Sequence, residues 1–186
     1  MDRENVLQSN KNSKRVWIII LALVITVVIV GGGIYAWQKS NPSQQFSEET
    51  NPEKIKIARE SLVDYFNLLN KKQYDKAIKY HGSGYDYLRA WNPSLNRDDY
   101  AGLLKNGCEI NGLQCLKVKE VLKQEQISPK EFRFVVQFAN NDGSLFKREP
   151  CCGADEEQMP TKTDFEFIVK LINGKYIVAT QPVYVP

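Results

Sequence analysis

The sequence predicts an α+β domain behind a membrane-spanning segment, and three observations carry that prediction. Residues 16–37 read VWIIILALVITVVIVGGGIYAW, without a single charge. From Asn51 to Gly107, apolar residues recur at helical spacing between capping and breaking residues. From Cys115 onward the period shortens to two, and an Asn-Gly pair marks a hairpin. Helices followed by strands imply one antiparallel sheet of about four strands with about three helices on one face.

The apolar run is long enough to cross a hydrocarbon core of about 30 Å as a helix. Trp17, Tyr35 and Trp37 fall where interfacial aromatics are favoured. Lys11, Lys14 and Arg15 precede the run and only Lys39 closely follows it, which orients residues 1–15 as a cytoplasmic tail and everything after Trp37 as extracytoplasmic. A cleaved signal peptide is the competing reading. The run exceeds the usual apolar length of such peptides, and Ile34 with Ala36 makes a poor small-residue cleavage site. Residues 38–52 are polar and aperiodic, a linker between anchor and domain.

The domain proper spans residues 53–186. Asn51-Pro52-Glu53 supplies an N-cap, a first-turn proline and a first-turn acid, and Ile55, Ala58, Leu62, Tyr65, Phe66 and Leu69 then share a face. A shorter helix over Tyr74–Tyr80 is broken by Gly82 and Gly84. Tyr85–Trp91 is aromatic-rich and stops before Asn92-Pro93. Asp98 or Asp99 caps a third helix that ends at Gly107. Leu116–Ile127 reads as a strand with a bulge near Glu120 and Val121. Phe132, Phe134, Val136 and Phe138 alternate with more polar neighbours, as do Phe165, Phe167, Val169 and Leu171. Asn173-Gly174 turns the chain into a last strand over Lys175–Thr180.

The order of a long helix bearing SLVDYFNLLNKKQYDKAIKY, two shorter helical pieces and then a sheet resembles the nuclear-transport-factor-2-like cone fold. The segments NGLQCLKVKEV, SPKEFRFVVQF, DGSLFKREPCCG and PVYVP resemble uncharacterised membrane-anchored bacterial proteins with such a domain. The resemblance covers residues 53–186 and implies a curved sheet, but no activity, because that superfamily holds enzymes, carriers and scaffolds alike.

Net charge is +3 over 186 residues, and outside the tail 21 basic residues face 20 acidic ones. A near-neutral domain without a basic stripe excludes nucleic acid as a partner. The four cysteines, Cys108, Cys115, Cys151 and Cys152, all lie beyond the anchor, where an even count reads as disulfides. Six residues separate Cys108 from Cys115, and Cys151 adjoins Cys152, so the spacing speaks against a zinc site. Four cysteines allow three connectivities; because adjacent cysteines close a strained ring, pairing across the two loops is preferred over Cys108–Cys115 with Cys151–Cys152.

His81 is the lone histidine, so no histidine dyad forms within one chain, and it reads as a helix-terminal residue that the dipole stabilises rather than a base partnered by Asp86. Asn140, Asp142, Gly143 and Glu149 mimic a calcium loop, but Phe138 stands where its first carboxylate belongs, so Asn141-Asp142-Gly143 reads as a hairpin turn. No metal and no cofactor is implied. Tyr80, His81, Tyr85 and Trp91 are the candidate rim of a pocket at the cone's mouth. The functional expectation is a non-catalytic envelope domain that binds a protein partner or a small apolar ligand. The alternative is an isomerase- or dehydratase-type enzyme using the cone cavity, for which the apolar strand faces offer no evident base.

Overall fold

Helix α1 (Pro52–Asn70) begins where the sequence places it. The computed structural model describes residues 51–186; the tail, the anchor expected at 16–37 and the linker as far as Thr50 lie outside the described residues. Among the described residues no helix is long and apolar enough to cross a membrane. Asn51 Oδ1 accepts hydrogen bonds from the Glu53 and Lys54 amides, both at 3.1 Å, a cap that contributes about 1 kcal/mol. Ala58, Leu62, Tyr65, Phe66 and Leu69 form its buried stripe. The helix closes with paired backbone bonds, Gln73 N–H to Leu68 O and Lys72 N–H to Leu69 O. The left-handed position this closure needs, usually glycine, is held by Lys72 at φ +58°.

Three short helices follow. α2 (Tyr74–Ala77) continues into a 3-10 turn over Ile78–Tyr80, α3 covers Asp86–Trp91 and α4 covers Tyr100–Glu109. Asp99 caps α4 by accepting from the Gly102 amide at 2.8 Å. The aromatic stretch before Pro93 is thus a helix of its own. Asn92 ends it and ties it down: its Nδ2 donates to Leu88 O and Asn111 Oδ1, and its Oδ1 accepts from Asn106 Nδ2, all within 2.9 Å. A buried amide satisfied on both ends stabilises rather than costs.

Strands β1 (Lys117–Ser128), β2 (Glu131–Ala139), β3 (Phe165–Ile172) and β4 (Lys175–Val178) form one antiparallel sheet in chain order. The bulge expected in β1 lies between Val118 and Glu120, and two further register shifts follow it. At the β3–β4 turn Asn173 and Gly174 both have positive φ, the hairpin geometry that fits the strand twist.

The core lies between α1 and the inner face of β2 and β3. Phe66 stands 4.7 Å from Phe138 and 5.0 Å from Phe167, both edge-on. Phe132, Phe134, Val136 and Val169 complete a layer without solvent exposure, each large side chain contributing roughly 1.5–3 kcal/mol. The opposite face is charged. Arg133 lies between Glu125 at 3.6 Å and Glu166 at 3.3 Å, and Lys170 meets Glu131 at 3.8 Å. Only Leu122, Ile127 and Ile172 expose much apolar surface among the strands.

Candidate functional site

Of the four residues expected at a pocket rim, only His81 and Tyr85 are brought together, ring on ring, while Tyr80 and Trp91 edge separate hollows. Tyr80 edges a shallow hollow of about 230 Å³ with Ser61, Lys79, Lys175 and Tyr176. Trp91 stacks on Tyr184 at 5.1 Å and lines another, of about 320 Å³, with Ile110 and Pro186. Tyr85 is wedged between the His81 and Tyr100 rings, 4.5 Å from each.

His81 itself is buried. It follows the 3-10 turn and pairs with Val178 as an isolated bridge, with the next amide, Gly82 N–H, bonded to Val178 O at 2.9 Å. Its Nε2 lies 2.8 Å from the Gly84 carbonyl, which can only accept, so that nitrogen carries the proton. Nδ1 then accepts from the Tyr65 hydroxyl at 2.7 Å. Ser83 Oγ stands 3.2 Å from Nε2 and 3.3 Å from the Tyr87 hydroxyl. Since Nε2 already bears hydrogen, it has no lone pair to take the Ser83 proton, and the contact is no nucleophile–base pair. Burial pushes the imidazole below its ordinary value, and the Gly84 carbonyl offsets this only in part. The ring is therefore a neutral bracket between α1 and the following loop, which corrects the dipole-stabilised reading. Asp86 does not meet it: that carboxylate faces solvent and pairs with Arg89 at 3.1 Å.

A roomier cleft than these lies elsewhere among the described residues. It encloses about 620 Å³ between the end of α1, the end of α4 and the segment entering β1, and Asn70, Lys72, Tyr74, Glu109, Gln114 and Asn141 give it a polar lining. Glu109 is its electrostatic centre. Its Oε1 accepts from the Tyr74 hydroxyl at 3.1 Å and pairs with Lys72 Nζ at 3.3 Å. Partial burial alone would raise the Glu109 carboxyl, but Tyr74, Lys72 and Lys105 outweigh it and hold the group below the usual carboxylate value. Burial first, and then the bond to Glu109, push the Tyr74 hydroxyl up to about 12. The pair is a fixed charge with a hydrogen-bond donor beside it, suited to gripping a polar chain rather than to moving protons near neutrality.

A disulfide shapes one wall. Cys108 in α4 is bonded to Cys115, with Cα atoms 5.5 Å apart, a separation ordinary for such bonds. The expectation of cross-pairing between the two cysteine loops is thereby corrected. The physical reason is a reversal at Gly112, φ +84°, where the chain passes against the Val185 carbonyl with no room for a side chain. The turn returns Cys115 to the helix end it left. Cys151 and Cys152 carry free thiols.

Sequence reasoning missed Lys72, Tyr74 and Glu109 as a group because they are joined only by folding. The short Cys108–Cys115 spacing across a glycine was the signal that could have placed a walled turn here. Asn140–Ser144 is a hairpin turn as expected, with Asp142 Oδ1 accepting from the Ser144 amide at 2.9 Å and its hydroxyl at 2.6 Å. No protein-family model and no curated protein matches the sequence.

Proposed function

We propose that the chain is a single-pass, membrane-anchored extracytoplasmic domain of the bacterial envelope, with a cone-like fold, that binds a protein partner and performs no catalysis. The uncharged run at 16–37 and the basic residues before it support the anchor and its direction. The bonded Cys108–Cys115 pair fits an oxidising compartment. One observation carries the binding reading: the space between helices and sheet is packed with Phe66, Phe132, Phe134, Phe138 and Phe167, whereas a cleft of about 620 Å³ lies outside it and is lined by amides and an ion pair. Filled cores leave no reactive cavity, and polar linings hydrogen-bond a peptide chain better than they hold an apolar ligand. Tethering at the membrane would raise the effective concentration of such a partner without any new contact.

A photo-crosslinking amino acid placed in turn at Gln114, Asn141, Leu122 and Ile172, in the full chain in native membranes, tests this. One discrete adduct from the cleft positions, lost when Glu109→Lys reverses the central charge, is the expected outcome. Adducts arising only from Leu122 or Ile172 would move the interface to the outer sheet face and overturn the cleft reading. A turnover activity lost with His81→Gln would overturn the non-catalytic one.

A further inference from the structure

Independently of the partner-binding reading, we propose that Cys151 and Cys152 form a redox site, a vicinal dithiol that closes to a disulfide by exchange with a disulfide carrier. Three observations on the turn carry this. With Cys108 and Cys115 already bonded to each other, the one intramolecular partner left to either thiol is its neighbour. The two sulfurs are in hydrogen-bond contact at 2.8 Å, so the turn holds the thiols side by side. The backbone is also set for it. Cys151 to Ala154 form a tight turn closed by Ala154 N–H to Cys151 O at 3.0 Å, with Cys152 at φ +61° and Gly153 at φ +88°. A cysteine enters that left-handed region at a cost of roughly 1–2 kcal/mol, and such outliers persist where the surrounding structure or a function holds them.

The surroundings hold this one. Arg148 and Lys162 exchange backbone hydrogen bonds of 2.9 and 3.0 Å, closing the neck of the loop. Inside the loop Glu156 accepts from the Thr161 amide and hydroxyl, and Asp155 from the Gln158 amide. The thiols thus sit on a braced turn. They face a cavity of about 320 Å³ that Arg148, Met159 and Tyr184 also line, so a carrier can approach.

Exposure assigns the order of events. Cys152 is exposed and Cys151 half-buried, and sharing a proton with Cys152 pushes the Cys151 thiol up. The Cys152 thiolate attacks one sulfur of the carrier's disulfide, forming a mixed disulfide and releasing the carrier's other sulfur as a thiolate. Cys151, once deprotonated, attacks Cys152 Sγ, and the second carrier sulfur leaves. The protein loses two protons and two electrons, and the carrier disulfide becomes a dithiol. Because this pair is exposed and adjacent, its disulfide is the labile one, and Cys108–Cys115 the resistant one.

Trypsin separates the two pairs, since residues 106–117 and 149–162 fall on different peptides. The full chain is equilibrated in glutathione buffers of graded redox ratio, quenched with acid, alkylated and digested. The 149–162 peptide should pass from doubly alkylated to unalkylated and lighter by two hydrogens, over a range in which 106–117 stays oxidised. Double alkylation of 149–162 in the most oxidising buffer, or its covalent linkage to 106–117, overturns the proposal. The Cys151→Ser variant should stop at the mixed disulfide, with glutathione retained on Cys152; an unmodified Cys152 in that variant overturns the assignment of the attacking thiol. Oxidised 106–117 peptide from this variant reports that the fold is retained.

Discussion

Lys72 occupies φ +58° at the close of α1 while its ammonium reaches Glu109 at 3.3 Å. The backbone costs about 1–2 kcal/mol, and an exposed ion pair returns at most about 1 kcal/mol. Lys72→Gly should therefore raise stability, by up to about 1 kcal/mol, seen as a higher urea midpoint with unchanged slope. A lower midpoint would mean that the Glu109 contact outweighs the backbone cost. His81 makes the opposite kind of residue-scale claim. Burial lowers its folded-state value below that of the unfolded chain, so the unfolded chain binds the proton first as pH falls. Its stabilising contribution is complete above about pH 6.5 and is lost as pH descends towards the folded-state value. The denaturation midpoint should fall between about pH 7.5 and about pH 5. His81→Gln should flatten that slope while costing roughly 1–3 kcal/mol at the higher pH, because it disturbs the buried Tyr65 and Gly84 contacts. Equal slopes in both proteins would assign the pH dependence to another group.

At the scale of elements, legibility follows the range of the interactions that decide each one. β2 and β3 could be read because alternation is local: Phe132, Phe134, Val136 and Phe138 face inward whatever the partner strand. α3 could not, because its six residues are held by the Asn92–Asn106–Asn111 bonds, which only the folded chain assembles. Gly107 misled in an instructive way. It reads as a helix end, yet α4 runs on to Glu109, and Gly107 is there so that Leu88 and Leu113 can close over the helix. A Cβ at Gly107 would stand 2.8 Å from Leu88 Cδ2 and 2.9 Å from Leu113 Cδ1. Gly107→Ala should thus destabilise by about 1 kcal/mol, since overpacking of roughly 1–3 kcal/mol exceeds the helix-propensity gain of about 1 kcal/mol. Calorimetry showing a higher Tm for the variant would contradict the packing argument. The disulfide was misread for the reason α3 was missed: the reversal at Gly112 depends on Val185, far along the chain.

For the whole molecule, charge, cysteine placement and anchor make one joint claim, and it can fail at any of the three. Outside residues 1–15 the chain is close to neutral, so a domain tethered as proposed would have no electrostatic reason to lie against an anionic bilayer surface, and its reach would come from residues 38–52. The Cys108–Cys115 bond spans a short loop and contributes about 2–3 kcal/mol in the chain-entropy view. That contribution exists only where the bond can form and persist, which ties stability to the side of the membrane on which the domain folds. Protease added to intact cells should therefore remove epitopes placed after Thr50 and spare one placed within residues 1–15. The 106–117 peptide recovered from the same cells should resist alkylation until reduced. Protection of the C-terminal epitope, with Cys108 and Cys115 freely alkylated, would place the domain in the cytoplasm and leave the bond without its compartment. Digestion of the domain together with a mature N-terminus near Trp37 would keep the compartment and the bond but remove the tether. Partner capture would then have to rest on the cleft's affinity alone, and the same Gln114 crosslink should weaken on dilution of the released domain, which a tethered one would resist.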